Sequence, residues 1–209
     1  MTPRTARRPG PSKGERTRQR IIEKPAVLFN TRGAAGASMA DVTAASGLEK
    51  GGVYNHFASK ESLVVEAFDY AAGLVRSRLD AAAARQTRPL ARLKALLDVY
   101  REIAIDPPLP GGCPLLNTAI EADDTNPALR ERVRNAFVAW RRRIATAADA
   151  AVAAGELQPI DAKAFATTAI ASLEGGVMLS RTFRDSRHIK AVVEHLNDWL
   201  DERALAASA

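Results

Sequence analysis

The chain has 209 residues, 46% hydrophobic and 26% charged, enough for a sizeable buried core and typical of a soluble globular protein. No apolar run approaches the roughly 20 residues of a membrane span, and no hydrophobic stretch follows Met1-Thr-Pro-Arg-Thr-Ala-Arg-Arg8. The lone cysteine, Cys113, excludes an internal disulfide, so the expected location is cytoplasmic, away from any membrane. The net charge of +6 belongs entirely to residues 1–63, which hold eleven Lys and Arg against five Asp and Glu; the remaining 146 residues hold nineteen of each. A local excess of this kind suits a polyanion or a solubilising tail, and charge alone does not separate the two.

Residues 1–13, rich in Pro, Gly and Arg, read as a disordered basic arm. A first helix is predicted from about Lys13 to Arg32, with Ile21, Ile22, Val27, Leu28 and Phe29 as its apolar stripe and Gly33 as its stop. Pro25 inside it should remove a backbone bond and kink the rod. Ser38-Met-Ala-Asp41 resembles a capping box opening a short helix that ends near Gly47. A third helix covers about Glu49 to His56. Ser59-Lys-Glu61 caps a fourth that reaches about Arg85, with Leu63, Val64, Ala67, Phe68, Ala71, Leu74, Val75 and Leu79 at 3–4 spacing. A fifth runs from about Pro89 to Ile105. Asp106-Pro-Pro-Leu-Pro-Gly-Gly112 forbids continuation, and a short sixth follows from about Pro114 to Asp123. Asn126-Pro127 opens a seventh reaching about Ala154. Two more span about Asp161–Phe183 and Arg187–Leu205. The fold class is therefore all-α, about nine helices.

Two short helices joined at Gly47, packed on a first through Val42 and Val53, suggest a helix-turn-helix between about Ser38 and Phe57. In such motifs the third helix enters the major groove with its N-terminal residues near base edges. Here it begins Glu49-Lys50-Gly51-Gly52. Two glycines cost a helix roughly 1 kcal/mol each, which makes sense if its backbone must approach DNA closely; the plainer alternative is a floppy turn. Tyr54 and Asn55 would face phosphates or bases. Lys60, at the start of the fourth helix, would hold a phosphate together with free backbone N–H groups.

Thr17-Arg-Gln-Arg-Ile-Ile22, Leu28-Phe-Asn-Thr-Arg-Gly33, Ser38-Met-Ala-Asp-Val-Thr-Ala-Ala-Ser-Gly-Leu-Glu-Lys-Gly-Gly-Val-Tyr-Asn-His-Phe57 and Ser59-Lys-Glu-Ser-Leu63 resemble the TetR/AcrR family of transcriptional regulators over about residues 17–63. The resemblance implies a homodimer whose last two helices form a four-helix bundle with the partner. It implies middle helices that enclose a pocket for a small-molecule effector, and release of the double-stranded DNA operator when that pocket fills. It also implies DNA contacts at Lys50, Gly51, Gly52, Tyr54, Asn55, His56 and Lys60 and a phosphate-contacting cap at Ser38. His56 has an equal alternative as a packed histidine. The chain is then expected to divide into the arm (1–13), a helix-turn-helix domain (14–60) and an effector-binding and dimerisation domain (61–209). Gly111-Gly-Cys-Pro-Leu-Leu-Asn-Thr-Ala-Ile-Glu121 loosely resembles one branch of the family.

Candidates for the pocket are Phe68, Leu74, Tyr100, Ile103, Cys113, Leu116, Asn117, Ile120, Phe137, Trp140 and Phe165, with plain core packing the favoured alternative for any one of them. Cys113, after two glycines and close to a helix N-terminus that would lower its pKa, is either a thiol sensor for redox or electrophile signals or a small buried hydrophobe. Ala169, Ser172, Leu173, Gly175 and Gly176, with Val192, Val193, Leu196, Trp199 and Leu200, are candidates for the dimer interface. Arg141-Arg-Arg143 reads as a solvated basic face. Asp123-Asp124 complements a helix N-terminus. His188 and His195 lack companions at ligand spacing, so no metal and no cofactor are expected. No nucleophile elbow, zincin motif or phosphate loop supports an enzyme. A packaging protein without sequence preference remains the other alternative, and the ratio of specific to random DNA affinity separates it from a regulator, whose ratio should be ~10³ or more.

Overall fold

A computed structural model describes residues 10–122 and 126–205. Among the described residues the fold is all-helical: α1 (Lys13–Arg32), α2 (Met39–Ser46), α3 (Lys50–Tyr54), α4 (Lys60–Ala84), α5 (Pro89–Ile105), α6 (Pro114–Ala122), α7 (Pro127–Ala153), α8 (Ala162–Phe183) and α9 (Arg187–Asp201). Residues 1–9 of the expected arm and the Asp123-Asp124 pair lie outside the described residues.

Local chemistry sets the starts. Ser12 and Glu15 close a capping box on α1, Ser38 and Asp41 one on α2, and Ser59 and Ser62 one on α4. Asn126 accepts from Leu129 N at 3.0 Å, and Asp161 accepts from the first-turn amides of α8. Two helices are shorter than the sequence predicts. α3 ends at Tyr54 because its last turn tightens: His56 N donates to Val53 O at 3.0 Å, an i→i+3 bond. α9 ends at Asp201 because the chain turns back. Ala204 bridges Leu157, and Leu205 N donates to Glu156 O at 3.0 Å. Pro25 does not break α1, which carries on through it; its ring is buried, beside an Ala26 packed on Ala67, Ala71 and Leu109.

One small cluster fixes the N-terminal helix-turn-helix domain: Ile21 and Ile22 of α1, Val42 of α2, Val53 of α3, Phe57 and Leu63. A far larger one runs through α4, α5, α7, α8 and α9 of the C-terminal helical domain, with Leu93, Leu97, Tyr100, Ile103, Ile144, Leu173, Val177 and Ile189 out of solvent. α4 belongs to both, its Leu63 in the first cluster and its Val75 and Leu79 in the second. Arg18 holds Glu66 at 2.6 Å through both carboxylate oxygens, pinning α1 to α4.

Candidate nucleic-acid interface and effector cleft

The turn between α2 and α3 is built by Gly47, whose φ of 65° and ψ of 32° are left-handed; its N–H reaches back to Thr43 and Ala44 carbonyls. That turn presents α3 with Val53 buried inward and Lys50, Gly51, Tyr54 and Asn55 outward. Tyr54 is 41% exposed, with the Lys50 ammonium 5.9 Å from its ring centre. His56 and Lys60 are half-buried, and Lys60 is the first residue of α4. Ser38 is exposed, but both roles of its hydroxyl go to Asp41: it accepts from Asp41 N at 3.1 Å and donates to Asp41 Oδ2 at 2.5 Å. These bonds hold the Asp41 carboxyl below its usual range.

Nothing among the described residues requires the two α3 glycines. A Cβ on Gly51 would meet nothing within 4 Å, and one on Gly52 would meet only Leu48, at an ordinary 3.6 Å. Neither has a positive φ. Alanine at either position would fit the chain and favour the helix.

In the body, a cleft of about 110 Å³ opens between α4, α5 and α7. Its apolar walls are Val75, Leu79, Tyr100, Leu115 and Trp140, with Arg76 and Arg143 at the rim. Tyr100 and Trp140 stack with ring centres 4.4 Å apart and planes within 10°, and Phe137 packs on the outer side of Trp140. Of the predicted pocket residues, only Tyr100 and Trp140 line this cleft; Ile103 is fully buried nearby. The other predicted residues lie outside this cleft. Ile120 is 67% exposed, because α6 turns that face to solvent. Leu74 packs with Ala26, Ala67, Ala71 and Leu109 under α1. Phe68 lines a narrow gap beside Asn30 and Glu121. Phe165 stacks on Trp199 in the α8–α9 groove. Leu116 is half-buried at the margin of the core.

Cys113 takes the second of its two readings, a small buried side chain. Amides of Leu115 and Leu116 at the start of α6 do draw its pKa down. Complete burial and the neighbouring Glu174 outweigh them and push the thiol well above its ordinary value. Its Sγ donates to Glu174 Oε1 at 3.0 Å. It is a buried donor, not an accessible thiolate.

Three functional candidates escaped the sequence reading. Glu174 is the first, 5% exposed in the core, its carboxyl raised by burial to about 7. Its signal was available: it is the only charged residue between Lys163 and Arg181. Asn30 is the second. Its Nδ2 donates to Pro110 O at 2.8 Å and Gly112 O at 3.2 Å, while Asn117 Nδ2 donates to Asn30 O, Asn30 Oδ1 and Gly111 O. Asn117, predicted as a pocket residue, is thus half of a knot tying α1 to α6. Glu121 completes it, accepting from Ala34 N at 2.9 Å and Ala35 N at 2.6 Å.

The predicted dimer residues split by face. Ala169, Leu173, Val193, Leu196 and Leu200 are buried within the chain, and Gly176 exists for internal packing, since a Cβ there would lie 2.9 Å from Ile189 Cδ1. Ser172 and Val192 are half-buried, while a Cβ on Gly175 would meet open space; the outward faces of α8 and α9 also carry exposed Met178, Leu179 and Phe183, and Trp199 beside the groove.

A helix-turn-helix resting on a larger helical body defines the class: a DNA-binding transcriptional regulator. Residues 21–67 match the family described as bacterial regulatory proteins, tetR family, and residues 89–196 match the tetracyclin repressor-like C-terminal domain. A TetR transcriptional regulator of Chloroflexus aurantiacus, solved crystallographically, superposes with a TM-score of 0.90 at 46% identity, covering 93% of this chain and 99% of that one. An uncharacterised HTH-type transcriptional regulator of Mycobacterium tuberculosis is 30% identical over 188 residues, 88% of this chain and 93% of its own. The HTH-type transcriptional repressor DhaR of a Mycobacterium species is 31% identical over 128 residues, 59% of this chain and 61% of its own. The chain belongs to the TetR family of transcriptional regulators.

Proposed function

We propose that the protein is a sequence-specific repressor, a homodimer that grips a palindromic operator and lets go when a small molecule fills the body. The observation that carries the DNA half is the pair of α3 glycines: two costly residues that nothing inside the chain requires, on the one helix whose outer face offers Lys50, Tyr54 and Asn55. A backbone pressed against a base edge or phosphate supplies the missing reason. Lys60 at the α4 N-terminus adds a phosphate contact, and residues 14–60 act as the reading head. The similar Mycobacterium protein named a repressor favours repression over activation.

For the effector half, residues 110–117 join the two sites. Leu115 walls the cleft and Cys113 bonds Glu174, while Pro110, Gly112 and Asn117 bond Asn30 of α1. A ligand that displaces this segment pulls on the reading head. The apolar outward face of α8, with the groove of about 500 Å³ between Phe165, Thr168, His195 and Trp199, supports a partner helix seated there.

The test is selection of bound sequences from random DNA. One palindromic site should bind ~10³-fold or more above random sequence at fixed salt. Tyr54→Ala and Lys60→Ala should each weaken that binding about tenfold or more with unchanged thermal stability. A ratio near one points to packaging instead, and normal binding by both variants overturns the docking orientation. A monomer by light scattering at micromolar concentration contradicts the dimer.

A further inference from the structure

The core of the body holds polar atoms that nothing among the described residues satisfies. Glu174 Oε2, the Tyr100 hydroxyl and Trp140 Nε1 are all buried without a hydrogen bond. They form one group. Tyr100 stacks on Trp140, and its hydroxyl lies against the Cys113 thiol and near Glu174, short of a well-formed hydrogen bond. Among the described residues no lysine, arginine or histidine pairs with Glu174; its one partner is the Cys113 thiol. A carboxylate kept in an apolar core without a counter-ion is a costly arrangement that ordinary packing does not require. Tyr100 and Trp140 are also the aromatic wall of the 110 Å³ cleft, so cleft and polar group are contiguous.

We propose that this group is the inner end of the effector site, and that the effector is a small flat molecule with a protonated nitrogen, whose N–H donates to Glu174 Oε2 while its apolar body lies against Tyr100 and Trp140. The inference rests on the ligand-released reading above and adds the ligand's chemistry to it. The carboxylate supplies an acceptor that only a donor can satisfy, and a cation satisfies it best. Aromatic faces beside it favour the same charge. Arg76, which is exposed, and Arg143, which is paired with Asp80, line the cleft and set the orientation: the nitrogen enters first, toward Glu174, and a neutral or acceptor end faces them. Tyr100 lines the cleft while Cys113 and Glu174 do not, so contact is made by rotation of Tyr100 or Glu174, each of which carries an unmet polar atom that gains a partner. A cleft of this size takes a single ring.

The experiment compares benzylamine, benzyl alcohol and benzoate by calorimetry on the full chain. At about pH 8, where Glu174 is ionised, benzylamine should bind at least about tenfold tighter than either analogue. Glu174→Gln should bring amine and alcohol within about twofold while leaving the alcohol unchanged. Wild-type protein gives a second readout that needs no variant. At about pH 5.5 the amine keeps its charge but Glu174 is protonated, and the preference should shrink; Cys113 and Tyr100, which face Glu174, stay neutral throughout. Equal affinities in the wild type, or a preference that survives Glu174→Gln, overturn the site and leave bound water as its content. Operator release is measured separately. Benzylamine held through Glu174 with DNA retained would keep the site and remove the release reading. Release of DNA by neutral compounds, equal in wild type and Glu174→Gln, would keep the release reading and overturn the site.

Discussion

Around α3, the polar groups without hydrogen-bond partners stand in solvent: Lys50, Tyr54 and Asn55, beside a Gly51 whose missing Cβ opens on empty space. Around α8 the unmet groups are sealed inside: Glu174 Oε2, the Tyr100 hydroxyl and Trp140 Nε1. Water satisfies the first set at little cost, so the reading head is stable while it waits for a partner. Among the described residues nothing satisfies the second set, so each such group costs the body about 1–3 kcal/mol of unmet hydrogen bonding. An external partner is recognised by what a helix leaves exposed, an internal one by what a core leaves incomplete. Between them lies a connector with no unmet groups at its centre, the knot of Asn30, Asn117 and the 110–112 carbonyls.

The connector gives the largest expected effect. Gly111 has φ 113°, a conformation few other residues adopt, and a Cβ there would strike the carbonyl oxygen of Asn30. Gly111→Ala should cost about 3–5 kcal/mol by thermal or urea denaturation, because neither the strained φ nor the α1 backbone can yield cheaply. A cost below about 1 kcal/mol would mean that the knot is loose and that reading head and body are joined chiefly through α4.

Glu174 separates the two regions by pH. The folded chain keeps its proton to about pH 7, whereas an unfolded one releases it near 4.5. Between those values the folded state carries more protons, so stability falls as pH rises. The loss is roughly 3 kcal/mol by about pH 8. Glu174→Gln should abolish that slope, read as the difference between the two proteins' denaturation curves at about pH 5 and about pH 8. Asp41 and Asp185, which lie on the surface and are held low, act only at more acidic pH and cancel in the difference. A wild-type slope equal to the variant's would show that the carboxylate is solvated and that the body is as well satisfied as the head.

How much of this the sequence disclosed follows the same division. α2, α4, α5 and the start of α7 are legible because their signals are local: capping boxes at Ser38 and Ser59, Pro89 and Pro127 at first-turn positions, and 3–4 apolar spacing. The outward face of α3 was legible for the same reason, since a five-residue helix with one buried Val53 has only one way to lie. The body's site was not. Which of many apolar residues line a cleft depends on how α4, α5 and α7 cross, so Tyr100 and Trp140 could not be told from Leu74 or Ile120. Asn30 and Asn117 meet across 87 positions, and no periodicity encodes that. Glu174 is in view as a lone charge in an apolar helix, but its neighbours Gly175 and Gly176 point to a dimer seam instead, of which Ile189 fills only the Gly176 side from within.

The smallest effect is the sharpest on the reading head. Gly51→Ala places a methyl where nothing stands within 4 Å, in a helix that alanine favours. The isolated protein should gain roughly 0.5–1 kcal/mol of stability in denaturation experiments. Operator affinity should fall at the same time, because the methyl occupies the space reserved for a base edge or phosphate, and the loss should exceed the gain. Those opposite signs are what distinguish a glycine kept for an external partner from one tolerated by accident. If Gly51→Ala stabilises the chain and binds the selected operator as well as the wild type, α3 approaches DNA through its side chains alone. The unmet chemistry of the head would then reside in Lys50, Tyr54 and Asn55 rather than in its bare backbone.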